Sequence, residues 1–193
     1  MTIKPLHAPF DAARLASLRA GDTVSISGLI YTGRDRLHKY LFEGGSSPVP
    51  LSGAAIYHCG PVMVEAKGGW RVAAAGPTTS IREEPYMARI IRTLGVRVVI
   101  GKGGMGPGTA LACAECGAVY LEAVGGAAQV LAASIQQVRG VHFLKEFGQA
   151  EALWELEVRD FPALVSIDSL GVNLHAEIER ASRDAYARLR GGS

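Results

Sequence analysis

Cysteine is scarce in this chain: there are three in 193 residues, Cys59, Cys113 and Cys116. An odd number with no disulfide-type spacing argues against a disulfide framework and agrees with a reducing compartment. Long apolar runs are missing as well, since none approaches the roughly 20 residues that a membrane-spanning helix needs. The opening stretch MTIKPLHAPFDAARLASL carries Asp11 and lacks the apolar centre of a signal peptide, so the expected location is the cytoplasm, with no membrane partner. No charge of one sign dominates. Twenty Lys and Arg face 18 Asp and Glu, a net charge of +2, without a basic run or aromatic-basic interleaving, which leaves nucleic acid without a binding surface. What the chain does have is apolar residues, at 48%, and 24 glycines. Residues 1–193 are therefore read as a single α/β domain large enough to bury a core unaided.

The stretch Trp70–Thr109 twice repeats one arrangement, an apolar run, a corner of small residues and a helical pattern. Val72–Ala75 leads into Gly76-Pro77-Thr78-Thr79-Ser80, then Arg82, Met87, Ile90, Ile91 and Leu94 at helical spacing. Val96–Ile100 leads into Gly101-Lys102-Gly103-Gly104-Met105, with helix expected over Thr109–Cys116. Strand ends feeding helix N-termini expose backbone N–H groups that favour anions. Arg82 and Lys102 at these corners make a cradle for an acidic small molecule. Upstream, residues 1–20 read as an arm and a short helix capped by Asp11, Thr23–Tyr31 as a strand, Leu37–Leu41 as a short helix, and Ala54–Tyr57 as a strand. Downstream, strands are expected at Ala118–Ala123, Val141–Phe143, Leu153–Val158 and Ala163–Ile167. A helix is expected over Ala127–Val138, and a terminal helix with Leu174, Ile178, Ala181 and Tyr186 on one face. The β-α order from 70 to 140 predicts a partly parallel sheet, and the strands outside that range an antiparallel part.

Several patterns compete for the chemistry. Gly101–Gly106 (GKGGMG) fits a dinucleotide G-x-G-x-x-G after a strand, with Glu122 near the end of the next, although the fingerprint is short and occurs late in the chain. Cys113-x-x-Cys116 and Cys59 could form a three-thiol metal site, but in an Ala-rich helical run they read better as small buried apolar residues, and no metal ligand is assigned. Arg34, Arg36, Arg82 and Lys102 each follow a strand end. Thr78 lies four residues before Arg82, so hydroxyl and guanidinium meet on one side of a helix start. A threonine needs such a cation and a dry site to act as a base, and simple capping is the competing reading for Thr78–Ser80. His38 is read as a surface histidine, with no ligand spacing to His58, His142 or His175.

The segments GLIYTGRDRLHK (28–39), YHCGPV (57–62), AAAGPTTSIR (73–82), VVIGKGGM (98–105), Gly125-Gly126 and LWELEVRDFPALVSIDSLG (153–171), in this order, resemble the β subunit or C-terminal domain of class I iron-sulfur fumarate hydratase and L(+)-tartrate dehydratase. The resemblance implies a swivelling β/β/α-type fold with a mixed sheet, and reversible hydration of a C4 dicarboxylate, fumarate to malate first, with tartrate or mesaconate as alternatives. It implies a 4Fe-4S cluster carried by a separate α subunit, whose open iron acts on the leaving hydroxyl. It also implies inactivity of this chain alone, and a hetero-oligomer containing a homodimer of β subunits. Carried over onto this sequence, Arg34 and Lys102 bind substrate carboxylates with Arg82, Thr78 moves the proton beside the carboxylate with help from Arg82, and Gly76, Gly101 and Gly103 let the backbone approach the ligand. Asp35, His38 and Thr79 are further candidates. Two departures from the family pattern are Gly33, where Ala is usual, and Glu83, where Met is frequent. Glu83 and Glu84 are expected to bring negative charge to the anion site. A dicarboxylate-binding module without catalysis is the alternative from another class.

Overall fold

Short apolar runs without alternation, such as Val98–Gly101 and Val119–Glu122, belong to strands covered on both faces. The computed structural model describes residues 2–191. The chain runs β1 (Lys4–His7), α1 (Ala12–Ala16), β2 (Thr23–Thr32), α2 (Asp35–Phe42), β3 (Ala55–Tyr57), β4 (Val62–Ala66), β5 (Gly69–Ala74), then a 3-10 turn (Ser80–Glu83). It continues through α3 (Glu84–Leu94), β6 (Val98–Gly101), α4 (Pro107–Cys116), β7 (Val119–Glu122), α5 (Ala128–Ala133), β8 (Ile135–His142), α6 (Leu144–Phe147), β9 (Leu153–Ile167) and α7 (Leu174–Gly191). β1, β2, β3, β6 and β7 are parallel neighbours in that order. β9 runs antiparallel to β7 and also to β2, so this half of the seven-stranded sheet curls towards closure like a barrel. The architecture is α/β with a mixed sheet.

Alternate residues of each strand enter two different cores. Ala55, Tyr57, Val98, Ile100, Val119 and Leu121 face the inner one. Ile56, Val99 and Tyr120 face outward, under Leu37 and Leu41 of α2, Met87, Ile90 and Ile91 of α3, and Ala112 and Cys113 of α4. The covering helices have sharp ends written in the sequence. α3 has Pro85 in its first turn and stops at Gly95 (φ +71°), and α4 starts at Pro107 and stops at Gly117 (φ +66°), a left-handed conformation that glycine adopts without strain.

Four expectations need correction. The N-terminal arm contains a strand, β1, in register with Val24–Ser27. The helix expected to reach Val138 stops at Ala133, and the chain turns into β8 against β9. The two strands expected between Leu153 and Ile167 are one 15-residue strand that turns at Asp160 (φ +53°), where Ser25 and Ser27 of β2 hydrogen-bond the turning residue. The apolar run leading into Gly76 is not in the main sheet at all, because β5 pairs only with β4 in a separate hairpin. α7 forms as expected, but Ile178 and Tyr186 on its apolar face are 58% and 60% exposed.

Candidate active site

Because β2, β3 and β6 are parallel, their last residues reach one edge of the sheet, where loops in open α/β structures collect ligands. The segment after β5 lies across that edge. Pro77 bridges Cys59, Thr79 bridges Lys102, the Thr78 N–H donates to the His58 carbonyl (2.7 Å) and the Ser80 N–H to the Lys102 carbonyl (3.0 Å). The two corners therefore meet, although only one of them ends a strand of the main sheet.

Arg34 occupies the N-cap position of α2 and Asp35 begins the helix. Arg82 Nη2 sits 2.6 Å from Asp35 Oδ2 and donates to Thr78 Oγ1 at 3.4 Å, which is the Thr-Arg meeting expected from their spacing. Arg34 lies 3.8 Å from Asp35 and 3.5 Å from Glu151, and its Nε has no hydrogen-bond partner among the described residues. Lys102, half-buried, has no carboxylate within 4.0 Å among the described residues. Arg36 turns away, and its guanidinium points to the carbonyls of Glu146 and Phe147.

Beneath these cations lies a buried polar layer. His38 is not a surface histidine, being fully buried and drawn inward by α2. Its Nδ1–H donates to the Arg34 carbonyl (2.8 Å), a tautomer assigned from that bond, and burial pushes the imidazole down to about 4. The His58 ring stands edge-on to it, with centroids 4.9 Å apart, and burial holds it neutral too. Ser80 Oγ accepts from the Lys102 N–H (3.1 Å) and is hydrogen-bonded to His58 Nδ1 (2.9 Å). Simple capping is thus not what this serine does, and Thr79, at the N-cap position of the turn, makes no side-chain cap either. Glu83 is fully buried with Oε2 3.5 Å from His38 Nδ1, and burial together with Asp35 pushes its carboxyl up to about 8. A Cβ on Gly101 would fall 1.8 Å from Ser80 Oγ, so glycine makes room for the serine. Gly76 packs against Ala128, while Gly103 (φ +76°) is open on its Cβ side.

The second corner departs from expectation, because carboxylates of the chain itself take its backbone donors. Glu84 accepts from the N–H groups of Gly106 (2.8 Å) and Thr109 (3.1 Å) and from the Thr109 hydroxyl (2.6 Å), at the N-terminus of α4. Glu84 is a helix cap in trans, not a repulsive charge beside the cations. Glu122 accepts from the Gly103 N–H (2.9 Å) and from His175 Nε2 (2.7 Å). The residue that a dinucleotide reading would give to a ribose thus plugs the glycine loop instead. Replacing Glu84 with alanine removes three bonds to a carboxylate and is expected to destabilise the chain by about 2–3 kcal/mol in urea denaturation. A change under about 0.5 kcal/mol, the range of ordinary surface substitutions, would contradict the capping role.

The thiols do not fit a cluster. Cys59 packs in the inner core and Cys113 in the outer, on opposite faces of the sheet, and burial pushes each up to about 12. Among the described residues no group of three His, Cys, Asp or Glu side chains converges as a metal site requires.

Residues 5–178 match the family described as "Fumarase C-terminus". The chain belongs to this fumarase family. It is 52% identical over 96% of its length to a protein of Geobacillus stearothermophilus provisionally named fumarate hydratase class I, of which it spans 36%. It is 39% identical over 84% of its length to a provisionally named L(+)-tartrate dehydratase subunit beta of Methanocaldococcus jannaschii, and 38% identical over 90% to the L(+)-tartrate dehydratase subunit beta of Escherichia coli K12. It covers 86% and 87% of those two relatives. These relatives are hydro-lyases or hydro-lyase subunits by name, and the chain is of the β-subunit or C-terminal type.

Within this fumarase-type domain, sequence reasoning missed His58, Ser80 and Glu151 as neighbours of the cations, and it placed Glu83 there as a surface charge, whereas the side chain is buried. Two signals were available. Ser80 closes the Thr-Thr-Ser run at a helix start, and His58 sits directly after a fully apolar strand, where a polar side chain must find a buried partner.

Proposed function

We propose that the chain is the β subunit of a two-chain hydro-lyase that hydrates fumarate reversibly to malate. The observation that carries this reading is the cluster of Thr78, Arg82, Asp35 and Arg34 beside Lys102, which has no carboxylate within 4.0 Å among the described residues, at one sheet edge. A dicarboxylate needs more than one cation, and it would take over guanidinium contacts that Asp35 and Glu151 now hold. Lys102 would anchor one carboxylate, with Arg34 and Arg82 on the other. Thr78 Oγ1, entering as the alkoxide held by the Arg82 guanidinium, would then accept the proton from the carbon next to the carboxylate during dehydration to become the neutral hydroxyl, and return it during hydration to become the alkoxide again. The chain's own thiols do not fit an iron-sulfur cluster, so the cluster that the resemblance implies belongs in this reading to an α subunit.

Two findings support a partner chain. The relatives covered almost fully are named as β subunits, whereas the fumarate hydratase is a longer protein. In addition, an open groove of about 900 Å³ between α4 and α7 adjoins the Gly103–Gly106 loop and exposes Ile81, Leu111, Leu170 and Ile178. Tartrate is the second substrate reading, favoured by that naming and match in length, while the higher identity favours fumarate. The test is anaerobic co-expression with a candidate α chain and assay of fumarate, mesaconate and L-tartrate. Turnover that needs both chains supports the reading and selects the substrate. A stable complex with an intact cluster and no turnover of any of the three overturns it.

A further inference from the structure

The buried layer under the cations contains a carboxyl that the proposed reaction does not use. Glu83 is completely buried in the 3-10 turn that also carries Arg82, and neither of its oxygens has a hydrogen-bond partner among the described residues. An ionised carboxylate left so is heavily penalised, whereas a protonated one costs far less. Its surroundings select the same form. From α2 it faces the neutral His38 imidazole and the Asp35 carboxylate, from the loop before β9 the Glu151 carboxylate, and from its own turn only the Arg82 guanidinium, which is already bonded to Asp35. Two carboxylates and one engaged cation do not stabilise a third negative charge.

We propose that Glu83 is a positioning residue that carries a proton in the buried layer and thereby keeps the cation cluster net positive for an anionic substrate. With Glu83 neutral, Arg34, Arg82 and Lys102 outnumber Asp35 and Glu151 by one charge. Ionised, Glu83 cancels that excess and competes with substrate for Arg82. Anion affinity then falls as pH rises through the Glu83 titration, without any change in the groups that touch the ligand. The charge argument rests on the dicarboxylate reading above, whereas the proton on Glu83 does not.

Two measurements on the full chain read the proton directly. Carbon-13 carboxyl NMR of glutamate-labelled protein is expected to show one resonance titrating near pH 8 that is absent from Glu83→Gln. Completion of every glutamate titration below about pH 6 overturns the proposal. Stability of the wild-type chain supplies the second measurement and needs no variant. Glu83 ionises at its ordinary 4.5 once unfolded and near 8 when folded, so the unfolded state loses a proton that the folded state keeps, and stability falls as pH rises between those values. His38 and His58 act oppositely below their ordinary 6.5, because burial lowers their folded values. Between pH 7 and 8 Glu83 is the largest contributor, since the histidines are mostly neutral in both states and Cys59 and Cys113 have barely begun to ionise in the unfolded chain, and the folding constant is expected to drop about fivefold. No drop there overturns the proposal.

The functional arm uses succinate as an inhibitor of the assembled enzyme. Its inhibition constant is expected to rise about three- to tenfold from pH 7 to 8.5 in the wild type and to stay level in Glu83→Gln. Equal pH dependence in both proteins overturns the inference alone. No succinate binding at either pH overturns the dicarboxylate reading, and the charge argument with it.

Discussion

Replacing Thr78 with alanine is expected to lower kcat of the assembled enzyme by about two to four powers of ten, the range of a lost proton-transfer group, with KM little changed. The structure makes this a clean deletion. The Thr78 backbone is fixed by its N–H bond to the His58 carbonyl and by the Pro77 and Thr79 bridges on either side, none of which involves the side chain. Oγ1 and its 3.4 Å contact with Arg82 are lost together with the Cγ2 methyl, and no other hydrogen bond of the segment is touched. A free threonine hydroxyl is a very weak base at neutral pH, so any base role must draw on the Arg82 guanidinium, which favours the charged form of the oxygen. Thr78→Ser keeps that oxygen and is expected to recover most of the turnover. A raised KM at unchanged kcat in the alanine variant would make Thr78 a binding group only. Equal kcat in both proteins would remove it from the reaction.

The same segment shows where local pattern stops informing. β2, β3, β6, β7, α3 and α4 are legible because their signals are local, apolar runs of strand length and helices bounded by Pro85, Gly95, Pro107 and Gly117. β8 is legible only at its end, Val141 and His142, because Ala127–Val138 is rich in small helix-tolerant residues and becomes a strand from Ile135 only by pairing with β9. β9 reads as two strands because Asp160 and Pro162 resemble a turn, and it is continuous only because Ser25 and Ser27 of β2 accommodate the bend. The site divides in the same way. Thr78 and Arg82 lie within one turn of each other, so their contact follows from spacing. The pairing of Arg82 with Asp35 spans 47 residues and depends on β2 and β3 lying side by side. For Glu83 and Glu84, composition predicts two surface charges beside an anion site, whereas the 3-10 turn sends one into the buried layer with His38 and the other to the N-terminus of α4. Adjacent residues leave a tight turn in different directions, and only the tertiary fold decides what each of them meets.

Lys102→Met carries the second large effect, a KM raised about 30- to 100-fold at nearly constant kcat, corresponding to roughly 2–3 kcal/mol for a charge-assisted carboxylate contact. Arg34 and Arg82 each have a carboxylate of the chain close by, so substrate binding there exchanges one ion pair for another. Lys102 has none among the described residues, and its contact with substrate would be a gain with little offset. The corner itself would not move on substitution. The Lys102 N–H is held by Ser80 Oγ and its carbonyl by the Ser80 N–H, and the aliphatic stem beside Gly125 is matched by methionine in length and polarity. Lys102→Arg restores the charge in a bulkier, planar form and is expected to recover part of the affinity, less than an exposed site would allow, because the half-buried corner was shaped around a narrow stem. An unchanged KM in Lys102→Met would remove Lys102 from carboxylate binding. A fall in kcat at constant KM would move it to the reacting end of the substrate, where a cation stabilises charge that develops only in the transition state.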